Sequence, residues 1–314
     1  MNNRRKYLSI VIPCYNEEEV LPVSLKELIP ILEEMQNDLI SDYQIVFANN
    51  GSKDNTLAVM LALKEEYKKI KIVDLRNNFG YQSSISAGLF HADGDVIISI
   101  DADLQDDPAK IKDMVDLHYQ GYDMVLGIRD SRSTDSFFKR IFSQGFYKLM
   151  QLLGANSVYN HGDFRLLTKE LVQTLKAYPE KNRYLRGMVL SIENKYAKVY
   201  YKRRKRTHGE TKFKPLQLIS LALDGITSFT IKPIRLIFLL GMSMFFVALL
   251  LIAYVLYLSL IQGVPIKGWT STLVIILFFG GVQNIALGII GEYVAKTYTE
   301  TKQRPWYVVR KIYN

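Results

Sequence analysis

Four short apolar, β-branched runs, each ending in a polar cluster and followed by a helical stretch, fix what the first third of this chain can become. Leu8–Pro13 runs into Cys14-Tyr15-Asn16-Glu17-Glu18, and Tyr43–Ala48 into Asn49-Asn50-Gly51-Ser52-Lys53-Asp54. Ile70–Leu75 runs into Arg76-Asn77-Asn78-Phe79-Gly80, and Asp95–Ile100 into Asp101-Ala102-Asp103. Near-continuous apolar strands alternating with helices predict a parallel sheet covered on both faces. Ligands bind such sheets beyond the carboxyl ends of the strands, so the four clusters converge on one edge.

The intervening helices follow from periodicity. Val20–Met35 places Leu21, Leu25, Leu28 and Leu32 on one stripe. A second helix begins at Asp54, with Leu57, Leu61 and Leu63 inward. The third, Ser83–Phe90, carries Ser84, Ala87 and Gly88, small enough for close approach to the sheet. Further on, Met124–Gly127 reads as a strand, Phe137–Leu153 as an amphipathic helix and Lys195–Lys202 as an edge strand.

The last third changes character. Leu236–Ile261 and Thr272–Ile290 contain no charged residue, and about 20 apolar residues in helical form span a bilayer core. Leu216–Phe229 has an apolar stripe suited to the membrane interface. The connector Gln262–Thr270 holds one cation, Lys267, whereas Lys212, Lys214, Lys232 and Arg235 precede the first span and Lys296, Lys302, Arg304, Arg310 and Lys311 follow the second. This asymmetry puts both termini in the cytoplasm. Gly280, Asn284 and Gly288 recur every four residues, a face suited to packing within the hairpin or between subunits of a homo-oligomer.

One cysteine, Cys14, excludes an internal disulfide and a cysteine-rich metal site. The net charge of +9 is concentrated before the membrane segment, at Lys202–Arg206. An anionic lipid surface or a phosphorylated substrate accounts for it better than nucleic acid. Asp101 and Asp103, spaced i, i+2 after a strand, suit a hard divalent cation, Mg²⁺ or Mn²⁺, which uses one or two carboxylates together with substrate phosphates.

Taken together, Ile10–Glu18 (IVIPCYNEE), Asn49–Thr56 (NNGSKDNT), Asn77–Gly88 (NNFGYQSSISAG) and Asp101–Pro108 (DADLQDDP) resemble the family-two glycosyltransferases, in the branch of dolichyl-phosphate mannose synthase and bactoprenol glucosyltransferase. His161–Leu166 (HGDFRL), Arg204–Phe213 (RKRTHGETKF) and Gly291-Glu292-Tyr293 extend the resemblance over nearly the whole chain. The resemblance implies an α/β fold, a GT-A Rossmann-like nucleotide-sugar-binding domain followed by a two-helix transmembrane hairpin. It divides the chain into a cytoplasmic catalytic domain at 1–214, a juxtamembrane segment at 215–235, two spans at 236–294 and a cytoplasmic tail at 295–314.

The implied roles follow position by position. Pro13, Tyr15 and Glu17 match the motif that contacts the nucleoside, with Asn49, Asn50 and Asp101 completing the nucleotide site. Asp101, Asp103 and Gln105 match the residues that hold metal and donor diphosphate. Arg129, Arg132, Arg206 and Lys212 match the basic residues near the acceptor phosphate and the diphosphate, and Asp163, with Arg165 orienting it, matches an aspartate at the reaction centre. Relatives usually read Asp-Asp-Gly-Ser where this chain has Asn49-Asn50-Gly51-Ser52, which keeps a carbonyl acceptor for the base and loses a charge. The implied reaction is inverting, metal-dependent transfer of a hexose, glucose or N-acetylglucosamine, from a UDP-sugar to polyprenyl phosphate for the cell envelope. GDP-mannose as donor, or a non-catalytic nucleotide-sugar-binding role, are the alternatives. A processive synthase would need more spans than two and a Gln-x-x-Arg-Trp motif, which this chain does not contain.

Overall fold

The computed structural model describes residues 5–36, 38–130, 158, 160–181, 185–204, 232–260 and 268–314. Arg132, Arg206 and Lys212, and the helices read at 137–153 and 216–229, lie outside the described residues.

The first half builds as its pattern dictates. Strands β1 (Lys6–Cys14), β2 (Ile40–Asn49), β3 (Ile70–Leu75) and β4 (Val96–Ser99) alternate with helices α1 (Leu21–Met35), α2 (Thr56–Glu66) and α3 (Tyr81–Phe90). The pairs β1–β2, β1–β4 and β2–β3 are all parallel. After α4 (Lys110–Tyr119) come β5 (Met124–Arg129), β6 (His161–Thr168), α5 (Lys169–Ala177), α6 (Leu185–Ile192) and β7 (Tyr196–Tyr201). Two long helices follow, α7 (Lys232–Leu260) and α8 (Trp269–Thr301), and then β8 (Val309–Tyr313).

The eight strands among the described residues form one sheet in the order β7-β5-β6-β4-β1-β2-β3-β8. The parallel arrangement expected of the first four strands is present, and the later strands make the complete sheet mixed. Strand β6 runs antiparallel to β4 and β5, and β8 runs antiparallel to β3. Strand β7 lies at the edge, as its alternation predicts. The segment after α8, read as a tail, returns to the first half of the chain and pairs Ile72 with Tyr313 and Val73 with Ile312.

Side-chain alternation along the strands divides the core in two. On one face Leu8, Ile10 and Ile12 of β1 pack with Leu21, Leu25 and Leu28 of α1, Met60 of α2 and Ile111 of α4. On the other, Val11, Val46 and Val73 pack with Ile85 of α3, Leu175 of α5 and Met188 of α6. Cys14 is buried, as expected of a small apolar residue. In α2 the inward stripe is shifted from the predicted one: Met60 is fully buried, while Leu57, Leu61 and Leu63 pack partly buried against the core.

The small residues of α3 have the predicted use. Ser84 donates its hydroxyl to the Ala48 carbonyl at 3.0 Å, inside the core. A Cβ on Gly88 would stand 2.3 Å from Cγ1 of Val11, a β-branched side chain in a central strand with little freedom to turn away.

Among the described residues, one helical segment, Ile234–Leu251, is long and apolar enough to cross a membrane, and none of it is buried against protein. Helices α7 and α8 touch one another. The far end of α8 is tied to the sheet domain: Glu300 accepts the Lys181 backbone N–H through both carboxylate oxygens, at 2.9 and 2.8 Å. Trp306 then stacks obliquely on Phe90 of α3, with ring centroids 6.0 Å apart.

The close approach of α3 makes Gly88→Ala a direct test of this packing. Overpacking of this kind costs about 1–3 kcal/mol, so the melting temperature of the variant in detergent should fall by several degrees. Unchanged melting would contradict the contact with Val11.

Candidate functional site

The site begins where β4 ends. In the segment Asp101–Pro108 burial alternates residue by residue: Ala102, Leu104, Asp106 and Pro108 are buried, while Asp101, Asp103, Gln105 and Asp107 are partly open. Leu104 takes a left-handed backbone (φ 42°), unusual for a residue with a branched side chain. Its apolar side chain, 5% exposed, holds it there. The resulting turn lets Leu104 N–H donate to the Asp101 carbonyl at 3.2 Å and Gln105 N–H donate to Asp103 Oδ1 at 3.2 Å. Asp101, Asp103 and Gln105, expected to act together, therefore lie along one side of a short, fixed turn.

Strand β6 supplies the opposite wall. The antiparallel register pairs Ser99 with Arg165, so Asp101, two residues further along β4's line, comes beside Asp163, two residues earlier on β6. A period of two puts Asp163 and Arg165 on the same face of β6, with Phe164 and Leu166 in the core on the other. Asp163 is 4% exposed and Arg165 1%. Arg165 Nη2 donates to Asp163 Oδ1. A second guanidinium, from Arg186 in the first turn of α6, donates to Asp163 Oδ2 through Nη2 at 2.7 Å and Nε at 3.2 Å.

These charges set the protonation states. Burial pushes the Asp163 carboxyl up, but Arg186 and Arg165 outweigh it and hold the group well below the usual carboxylate range. Asp101 has the reverse environment. Burial first, then the charges of Asp106 and Asp163, raise it to about 7, although the Tyr81 hydroxyl donates to its Oδ1 at 2.7 Å. Burial and the nearby Arg165 keep His161 neutral.

A second anchor lies beneath the acidic turn. Asp106, 1% exposed, accepts from the Tyr201 hydroxyl at 2.7 Å and from Arg129 Nη2 at 3.3 Å. Arg129 also donates from Nε to the Tyr201 hydroxyl oxygen at 3.3 Å. A Cβ at position 162 would stand 3.2 Å from Arg129 Nη2, so Gly162 leaves room for this guanidinium. Just beyond β7, Arg204 N–H donates to the Gln105 carbonyl at 2.9 Å, and its guanidinium pairs with Glu27 and with Asp107, the latter at 2.8 Å. The described chain thus carries the start of the basic run onto the acidic turn.

The other expected residues meet at the ends of β1 and β2. Pro13 is buried at the end of β1, and Tyr15 and Glu17 are half-buried. Their loop is laced to the next: Asn16 N–H donates to Ser52 Oγ at 3.1 Å, Lys53 N–H to Asn16 Oδ1 at 2.9 Å, and Glu17 N–H to Thr56 Oγ1 at 2.8 Å. Asn49 and Asn50 are 2% and 3% exposed. Asn49 donates to Asp74 Oδ1 at 2.8 Å and accepts from Ser52 N–H at 3.3 Å. Asn50 donates to Asn78 Oδ1 at 3.1 Å and accepts from Phe79 N–H at 3.0 Å.

Sequence reasoning did not single out Tyr81, Asp106, Arg186 or Tyr201. Asp106 stood inside the acidic motif without a distinct signal. Arg186 is brought in by the placement of α6 and by nothing local. Among the described residues no group of three or more His, Cys, Asp or Glu is arranged to hold a metal. The chemistry on offer is two partly open carboxylates on a turn, an ionised aspartate clamped by two guanidiniums, and backbone loops laced together at the strand ends.

The family model described as Glycosyl transferase family 2 matches residues 9–176. The uncharacterized glycosyltransferase YkoT of Bacillus subtilis (strain 168) is 40% identical over 98% of this chain and 93% of its own length. The prophage bactoprenol glucosyl transferase homolog of Escherichia coli (strain K12) is 39% identical over 97% of this chain and 99% of its own. Among solved structures, glucosyl-3-phosphoglycerate synthase from Mycobacterium tuberculosis aligns with a TM-score of 0.46, at 16% identity over 71% of this chain and 76% of that one. With a GT-A-like α/β domain built on a mixed sheet, and relatives matched along almost its entire length, the chain belongs to glycosyl transferase family 2.

Proposed function

We propose that this glycosyltransferase moves a hexose, glucose or N-acetylglucosamine, from a UDP-sugar to polyprenyl phosphate, with inversion. The observation that carries the reading is the opposition of an open acidic turn, Asp101 to Gln105, and the doubly clamped Asp163 across the β4–β6 pairing. The relative in Escherichia coli is by its name a homolog of a bactoprenol glucosyl transferase and matches over the two long helices as well.

The acidic turn fits a divalent cation, Mg²⁺ or Mn²⁺. Burial, and after it the charges of Asp106 and Asp163, hold the proton on Asp101 to about pH 7, so its ionised form gains from added positive charge. When bound, the metal would be held by Asp101 and Asp103, with Gln105 beside them, and would stabilise the departing nucleoside diphosphate. The acceptor phosphate monoester is already ionised near neutrality, its second pKa being about 6, so no strong base is needed. Asp163, held ionised by Arg186 and Arg165, is a poor proton acceptor and acts by position and charge. Arg129, Arg132, Arg206 and Lys212 are the cations assigned to the phosphates, and Pro13, Tyr15, Glu17, Asn49 and Asn50 frame the nucleoside.

The return of the chain supports a hairpin arrangement in the membrane. Strand β8 pairs with β3 inside the sheet domain, so a crossing by α7 requires a crossing back. Helix α8 is the described element between them, and its 33 residues would extend about 50 Å at the usual rise per residue. The hairpin reading, with a catalytic domain and both termini cytoplasmic, rests on this return and on the distribution of positive charge.

Three measurements test the reading. Asp163→Asn should lower kcat by roughly 10²–10³-fold while leaving the KM for the UDP-sugar nearly unchanged, since the interaction acts in the transition state. Loss of nucleotide affinity instead would move Asp163 into the donor pocket. Mn²⁺ binding, followed by calorimetry, should weaken about tenfold for each pH unit below 7 as a proton competes for Asp101, and should be lost in Asp103→Ala. A pH-independent affinity, or full turnover in EDTA, contradicts the metal assignment. Reporters placed after Asn314 and near Gly263 should report cytoplasm and exterior respectively, and the opposite pattern overturns the orientation.

A further inference from the structure

The end of β2 is held by a group the proposed mechanism leaves unused. Asp74, on β3 directly across the register from Asn49, is completely buried. Its Oδ1 accepts from the Asn49 side-chain amide at 2.8 Å. Its Oδ2 accepts no hydrogen bond among the described residues, and the positive charge brought against it is Arg310 of β8, with Nη1 at 3.6 Å. Arg310 also donates through Nη2 to the Arg76 carbonyl at 2.9 Å, and Arg76 N–H donates to the Val308 carbonyl at 2.9 Å. The strand that returns from α8 therefore grips β3 at Asp74 and again just beyond it.

The carboxylate decides which way the Asn49 amide points. A carboxylate accepts and never donates, so the NH₂ group faces Asp74 and the carbonyl oxygen turns to Ser52 N–H at 3.3 Å. That bond shapes the turn through Gly51, which has φ 63° and sits so low on the next loop that a Cβ would meet the Asn77 carbonyl carbon at 2.5 Å. Ser52 in turn receives Asn16 N–H, linking the turn to the loop after β1. We propose that Asp74 and Arg310 are positioning residues for the donor nucleoside: through the Asn49 amide they set the turn that frames it, and they make the β8 strand part of the nucleotide site. An aspartate at position 49 would face Asp74 carboxylate to carboxylate, so Asn49 and Asp74 form a matched pair with the acidic member on β3.

The proposal rests on the donor reading given above, and the experiment separates the two. UDP and GDP binding to the full chain in detergent with Mn²⁺ is measured by calorimetry for wild type, N49D, D74N, N49D/D74N, R310A and R310K, with melting followed in parallel. Two facing carboxylates should cost N49D about tenfold or more in UDP affinity. Exchange of the pair in N49D/D74N should bring affinity back to within about threefold of wild type, since one donor and one acceptor again face each other. R310A should weaken UDP binding by roughly three- to tenfold and R310K should retain most of it, a difference a merely structural edge strand would not produce. Wild type that binds neither nucleotide overturns the donor reading itself. Wild type that binds, with N49D equally tight or the double variant no better than N49D, overturns the matched pair alone. If N49D fails to fold, a folded, UDP-binding double variant supports the pair and an inactive one overturns it.

Discussion

A carboxylate removed from water must be neutralised or given cations, because burying an unpaired charge is prohibitively costly. Asp163 meets that demand with two arginines from different elements, Arg165 on its own strand and Arg186 on α6. The demand shapes what surrounds it. Strand β6 must run antiparallel to β4 for Asp163 to reach the end of β4 beside Asp101. Helix α6 must begin close enough to deliver Arg186. With both guanidiniums committed to Asp163, Asp101 has no cation to offset its burial and the charges of Asp106 and Asp163, and it retains its proton to about pH 7. The two aspartates sit side by side with opposite protonation tendencies because one has the cations and the other does not.

The same economy recurs under the acidic turn. Asp106, Tyr201 and Arg129 form a compact triangle that joins the turn to β5 and β7. Consecutive aspartates in one motif thus have different fates: Asp106 is buried and paired with Arg129, while Asp107 stays partly open and meets Arg204.

Strands β1 to β4 and helices α1 and α3 were legible because each is a sustained run of one periodicity, bounded by polar residues. Strand β6 was not, since one of its faces carries His161, Asp163 and Arg165 and the segment reads as a polar motif rather than a strand; its apolar face holds just Phe164 and Leu166 in the core. Strand β8 is five residues long with Arg310 and Lys311 among them, a pattern with no signal until β3 is in place to receive it. The acidic turn and Asp163 were visible as residue types in order. Arg186 was not, because its role depends on α6 being docked against β6. Asn49 and Asn50 suggested base readers, and the structure shows their amides occupied by Asp74, Ser52, Asn78 and Phe79, partners set by the pairing of neighbouring strands.

Strand β8 also bears on the order in which the molecule can assemble. Arg310 and Arg76 are 234 positions apart, and both long helices lie between them. Contacts of such separation form late, since closing the intervening chain costs entropy before any contact rewards it. Until then β3 is an uncovered edge with unpaired backbone groups, a template for pairing with other chains. The β3 edge is covered only when the helices have been made and the chain has turned back, so maturation of the sheet domain is coupled in time to the disposition of the helical pair.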